Sequence, residues 1–78
     1  MVAVSDIVKA IAEHLTLNPE DLDKHALLKE DLGLGPIELN DLLSSLSEKF
    51  DITLAPEDVD KIETVDDLIV AIEDNLIG

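Results

Sequence analysis

The side chains able to do covalent or acid–base chemistry are few in this chain of 78 residues: two histidines, seven serine and threonine hydroxyls, five lysines and nineteen carboxylates, with no cysteine, tyrosine, tryptophan or arginine. Thiol nucleophiles, disulfides and thiolate zinc sites are thereby excluded. His14 and His25 stand eleven positions apart, too far for a metal pair one turn apart on a helix. Their sequence neighbours offer no nucleophile-and-base arrangement, so neither is expected to be catalytic. The acidic runs Glu57-Asp58-Val59-Asp60 and Asp66-Asp67 lack the alternating oxygen ligands, turn glycine and closing glutamate of a calcium loop. A solvated acidic helix face does not raise a carboxyl pKa into the range of a general acid. No catalytic residue and no metal ligand is assigned, and an enzyme is not expected.

The elements that would position these groups follow from apolar spacing. Of the 78 residues, 29 are Leu, Ile, Val or Phe, a share well above the roughly 20% below which highly charged chains stay disordered. Ser5 as N-cap, Asp6 in the first turn and Ile7, Ile11 and Leu15 at spacings of four, widened by Val8 and Ala12, predict a first helix from Ser5 to Leu15. Asn18-Pro19-Glu20-Asp21 can open a single turn. From Thr16 to Gly35 the period is otherwise lost, yet Leu22, Leu27, Leu28, Leu32 and Leu34 recur, so this long loop is expected to fold back over a core.

Pro36 suits a first helical position, and Leu39, Leu42, Leu43, Leu46 and Phe50 form a stripe behind it, predicting a second helix over Pro36 to Phe50. Asp51-Ile52-Thr53-Leu54 is read as a connector, because no partner strand exists for it. Ala55-Pro56-Glu57-Asp58 opens a short acidic third helix ending near Lys61. Thr64-Val65-Asp66-Asp67 resembles a capping box, followed by Val65, Leu68, Ile69, Ile72 and Leu76 at helical spacing. The expectation is one all-α domain over residues 1–78: a small four-helix bundle of three longer helices and one short acidic helix, with a long loop between the first two.

The run Asp31-Leu32-Gly33-Leu34-Gly35-Pro36-Ile37-Glu38-Leu39-Asn40-Asp41-Leu42-Leu43, with Glu48-Lys49-Phe50-Asp51-Ile52 behind it, resembles the acyl carrier protein family, whose second helix opens on Asp-Leu-Gly-x-Asp-Ser-Leu. Pro56-Glu57-Asp58 and Lys61-Ile62-Glu63-Thr64-Val65 are similar to that family's short third helix and the start of its fourth. The register runs without a gap through nearly the whole chain. The resemblance implies a fold of that type in fatty-acid or polyketide metabolism. In that family the serine opening the second helix carries 4′-phosphopantetheine. Pro36 stands at that position here and Gly35 replaces the preceding aspartate, so attachment is not expected and no cofactor is assigned. Ser44, Ser45 and Ser47 lie inside the second helix and Ser5 caps another, which makes each a poor substitute for a helix-start serine.

The resemblance also implies that Glu38, Asp41, Glu48, Glu57, Asp58 and Asp60 dock on basic patches of carrier-dependent enzymes. The net charge of −14 agrees with protein partners carrying basic patches and argues against nucleic acid and anionic membranes. Met1 to Thr16 lacks the features of a signal peptide, and no apolar run is long enough to span a bilayer. A monomer in the cytoplasm is the expectation. Two other readings stay open on sequence alone: a working carrier that uses another attachment site, and an unrelated acidic helical adaptor.

Overall fold

The computed structural model describes residues 3–76. Four α-helices follow one another, α1 (Val4–Leu15), α2 (Pro36–Phe50), α3 (Pro56–Asp60) and α4 (Val65–Asn75), with one 3-10 turn at Pro19–Asp21. Among the described residues there is no strand; the single isolated bridge joins Leu27 to Thr64. The all-helical bundle expected from the sequence is thus the observed fold. One helix start moves: α1 begins at Val4 with Ala3 as its cap residue, so Ser5 lies inside the first turn. The reason is Asp6, whose carboxylate accepts the Ala3 N–H at 3.0 Å and fixes the chain two residues earlier than Ser5 could.

The apolar stripes meet in one core. Ile7, Ile11, Leu28, Leu42, Leu46, Val65, Leu68 and Ile72 are almost fully buried, and α1 packs on both α2 and α4. No polar or charged residue is buried among the described residues, so the interior needs no hydrogen-bonding network to compensate for desolvation. Leucines of the long loop complete the core: Leu22, Leu28 and Leu34 are buried there. The loop itself is pinned to the start of α4 by backbone bonds. The Leu28 N–H donates to Glu63 O at 2.9 Å, and the Val65 N–H donates to Ala26 O at 3.1 Å. A loop so tied holds its end still, and that end is the start of α2.

The helix ends are also fixed by local chemistry. Thr64 Oγ1 accepts the Asp67 N–H at 3.1 Å while Asp67 Oδ2 accepts the Thr64 N–H at 3.1 Å, a reciprocal capping box. At the close of α1, Thr16 takes a left-handed conformation (φ 61°), and the following Leu17 N–H reaches back to Ala12 O at 2.8 Å. Asp51 does the same after α2, at φ 54°.

Candidate functional site at the start of helix 2

The start of α2 is built by three successive backbone choices. Asp31 Oδ2 accepts the Leu27 N–H at 2.8 Å, closing a tight turn. Gly33 then enters the left-handed region at φ +68°, which a glycine adopts at little cost. The Leu34 N–H donates to Leu28 O at 3.0 Å and its side chain is buried, so the chain is held when it reaches Gly35. Gly35 is extended and caps the helix through its carbonyl, which accepts the Leu39 N–H at 2.9 Å. Pro36 occupies the first helical position, where a missing N–H is harmless.

Pro36 is exposed at this corner, and Ile37 beside it is 83% exposed, the most exposed of the large apolar side chains described. Glu38 at the third helical position folds back: its carboxylate lies against Gly35, within 2.5 Å of where a Cβ would stand. A negative group in this first turn suits the partial positive charge of the helix N-terminus.

The expected acids separate into groups. Asp41 and Glu48 are exposed on α2 and share one outward face with Ile37 and Ser44, at i, i+4, i+7 and i+11. Asp41 also faces α1, with Oδ2 3.5 Å from His14 Nε2. Glu38 lies to the side of that face. Glu57 and Asp60 are exposed on α3, whereas Asp58 is half-buried. A shallow cleft lined by Ser44, Glu48, Ile52, Leu54 and Val59 joins the α2 face to the connector and α3. Ile37 was missed by sequence reasoning. Its signal was present: it falls out of phase with the Leu39, Leu42, Leu43 and Leu46 stripe.

Other hydroxyls are less well placed for modification. The Ser47 Oγ donates to Leu43 O at 2.8 Å and is partly buried. Ser44 is exposed but lies two turns inside α2, and Ser5 is on α1. Among the described residues no three His, Cys, Asp or Glu side chains are grouped to hold a metal ion, and no helix is long and apolar enough to cross a membrane. Of the two histidines, His25 is exposed in the loop, where its N–H donates to Asp23 Oδ1 at 2.9 Å.

Comparison with known proteins gives a consistent answer. A family profile described as the phosphopantetheine attachment site matches residues 5–72. An acyl carrier protein of Wolinella succinogenes is 36% identical over 75 residues, covering 96% of this chain and 99% of that one. One from Helicobacter pylori strain J99 is 35% identical over 78 residues and spans both chains completely. Among solved structures, a putative acyl carrier protein from Mycobacterium tuberculosis superposes with a TM-score of 0.78 at 26% identity, covering 91% of this chain and 96% of that one.

Proposed function

This chain belongs to the acyl carrier protein family, and from that premise we propose that it is a carrier-fold protein that takes no arm at the usual position and acts by docking its acidic face on enzymes of acyl metabolism. Proteins of this family are carriers rather than enzymes, and they work with acyl-carrier-dependent enzymes. An unrelated adaptor of accidental likeness is thereby set aside.

The single observation that carries the reading is the residue at the first position of α2. In the register given by the resemblance, Pro36 stands where the family has its attachment serine. The group 4′-phosphopantetheine is joined through a phosphate ester to a hydroxyl oxygen, and the pyrrolidine ring of Pro36 has none. Gly35 offers no side chain either. The nearest serine along α2 is Ser44, about 12 Å further on at 1.5 Å per residue. The residues present therefore do not fit the group, although the fold around them is intact. Proline is well suited to a helix start, so its presence needs no compensating change.

Docking needs a surface rather than a hydroxyl. Ile37 supplies an exposed apolar contact near the start of α2, Asp41 and Glu48 follow it along the same face, and Glu57 and Asp60 lie on the neighbouring helix. The acids steer a basic partner and set its orientation, and the isoleucine contributes desolvated area at one end of the face. The test is binding of the natural chain to a panel of carrier-dependent acyltransferases and synthases in low and high salt. Specific binding to at least one member, lost in 1 M salt and weakened at least tenfold by Asp41→Lys with Glu48→Lys, is expected. Binding to none of them at low salt would overturn the reading.

A further inference from the structure

One flank of α2 turns toward α1, and two ion pairs cross between the helices there. The Glu13 carboxylate lies 3.8 Å from Lys49 Nζ, and His14 Nε2 lies 3.5 Å from Asp41 Oδ2. Asp41, Ser45 and Lys49 follow one another at four-residue spacing on α2, so one line of side chains meets two consecutive residues near the end of α1. A recess of about 260 Å³ lies between the helices, with Glu13, His14, Ser45 and Lys49 among its walls.

Protons treat the two pairs differently. Lysine and glutamate both keep their charges across the neutral range, so the Glu13–Lys49 pair persists there. Imidazole is the side chain whose charge changes between about pH 5 and 8, and His14 attracts Asp41 as an ion only when protonated. The His14 side chain is 28% exposed against 73% for Asp41, so the histidine is the better sheltered of the two. The carboxylate remains open to solvent and to a partner, on the outward face it shares with Ile37 and Glu48.

We propose that His14 is a proton-controlled screen on Asp41. The inference rests on the docking reading above and names a control acting on that same face. At the acid end of this range the imidazolium holds the carboxylate toward α1 and cancels part of its charge. The neutral ring releases it as the pH rises. Attraction for a basic partner therefore strengthens with rising pH, while the tie between α1 and α2 through this pair weakens. Other acids do not compete for the ring. Glu13, its neighbour in sequence, is taken by Lys49. The other elements packed on α1 carry Glu20 and Asp21 in the 3-10 turn and Asp66, Asp67, Glu73 and Asp74 in α4. Among the described residues none of these is ion-paired with His14. The pair faces solvent, so its effect is about twofold rather than tenfold, and salt reduces it.

The experiment is a double-mutant cycle, with urea unfolding of the natural chain, His14→Gln, Asp41→Asn and the double variant at about pH 6 and about pH 8. Coupling of about twofold in the unfolding constant is expected at the lower pH and none at the higher. An amide NMR titration with blocked pentalysine, cationic at both pH values, then reads the charge of the face. Its binding at Asp41 and Glu48 should weaken from the higher to the lower pH by about twofold more in the natural chain than in His14→Gln. His25 and the terminal amine also titrate in this interval, but both chains carry them and they cancel in the comparison. Coupling that is absent at the lower pH, or equal at both, would overturn the proposal. So would a pH dependence of pentalysine binding that is identical in the natural chain and His14→Gln, because the pair would then not alter the charge presented. Neither readout uses an enzyme, so failure of the enzyme panel alone would remove the docking reading and leave the screen standing.

Discussion

A Cβ built on Gly35 would stand 2.5 Å from Glu38 Oε2, so the carboxylate at the third position of α2 occupies the space that any larger residue at position 35 would fill. The contact is with the free end of a flexible, exposed side chain, which can swing away. Gly35→Asp should therefore change stability by no more than about 0.5 kcal/mol, because aspartate is at least as good an N-cap as glycine and surface changes are usually small. Urea denaturation reads this directly. A loss much beyond 1 kcal/mol would mean that Glu38 is held in place by more than the helix end.

Two of the left-handed residues, Gly33 and Thr16, give opposite expectations. Gly33 has φ +68° with open space around its Cα, so Gly33→Ala should cost about 1 kcal/mol from backbone conformation alone. Thr16, a β-branched residue, sits at φ 61°. Thr16→Gly should relieve that strain and stabilise the fold by roughly 0.5–1 kcal/mol, partly offset by the greater freedom of glycine in the unfolded chain. Thermal melts of both variants beside the natural chain test the pair. A stabilising Gly33→Ala would contradict the turn geometry at the start of α2.

The cap of α4 carries a pH dependence. The Asp67 carboxyl lies below its ordinary value because its charged form accepts the backbone N–H of Thr64, then that of Glu63, and is helped by the Thr64 hydroxyl; slight burial opposes the shift. A carboxyl depressed by folding contributes stability above its unfolded pKa, and that contribution is lost as pH falls through the folded value. Stability due to this group should thus be complete at neutral pH and decline below about pH 4, the ordinary carboxylate range. Asp67→Asn should flatten that part of the acid profile, and Thr64→Ala should cost about 1 kcal/mol at neutral pH. An acid profile unchanged by Asp67→Asn would show that other carboxylates dominate.

Much of this was legible in the residues. The α2 stripe of Leu39, Leu42, Leu43 and Leu46 and the reciprocal Thr64–Asp67 box depend on neighbours within one or two turns, and both stand as their spacing implies. The α1 start was displaced because Asp6 can cap by reaching backward, a choice that composition leaves undecided between Ala3 and Ser5. The loop was readable only as apolar. Its path depends on Leu28 and Ala26 pairing with residues 63 and 65, contacts distant in sequence. The exposure of Ile37 was readable, since it falls out of phase with the buried stripe of α2. The chemical consequence of Pro36, by contrast, lies in its identity and required no geometry.

The measurement that tests the central claim most directly is the intact mass of the protein after incubation with coenzyme A and a broad-specificity phosphopantetheinyl transferase, with Pro36→Ser and Gly35→Asp/Pro36→Ser run alongside. The account predicts that the natural chain keeps its mass while at least the double variant gains one phosphopantetheine arm. A natural chain that gains the arm would contradict it, placing the attachment on another hydroxyl such as Ser44.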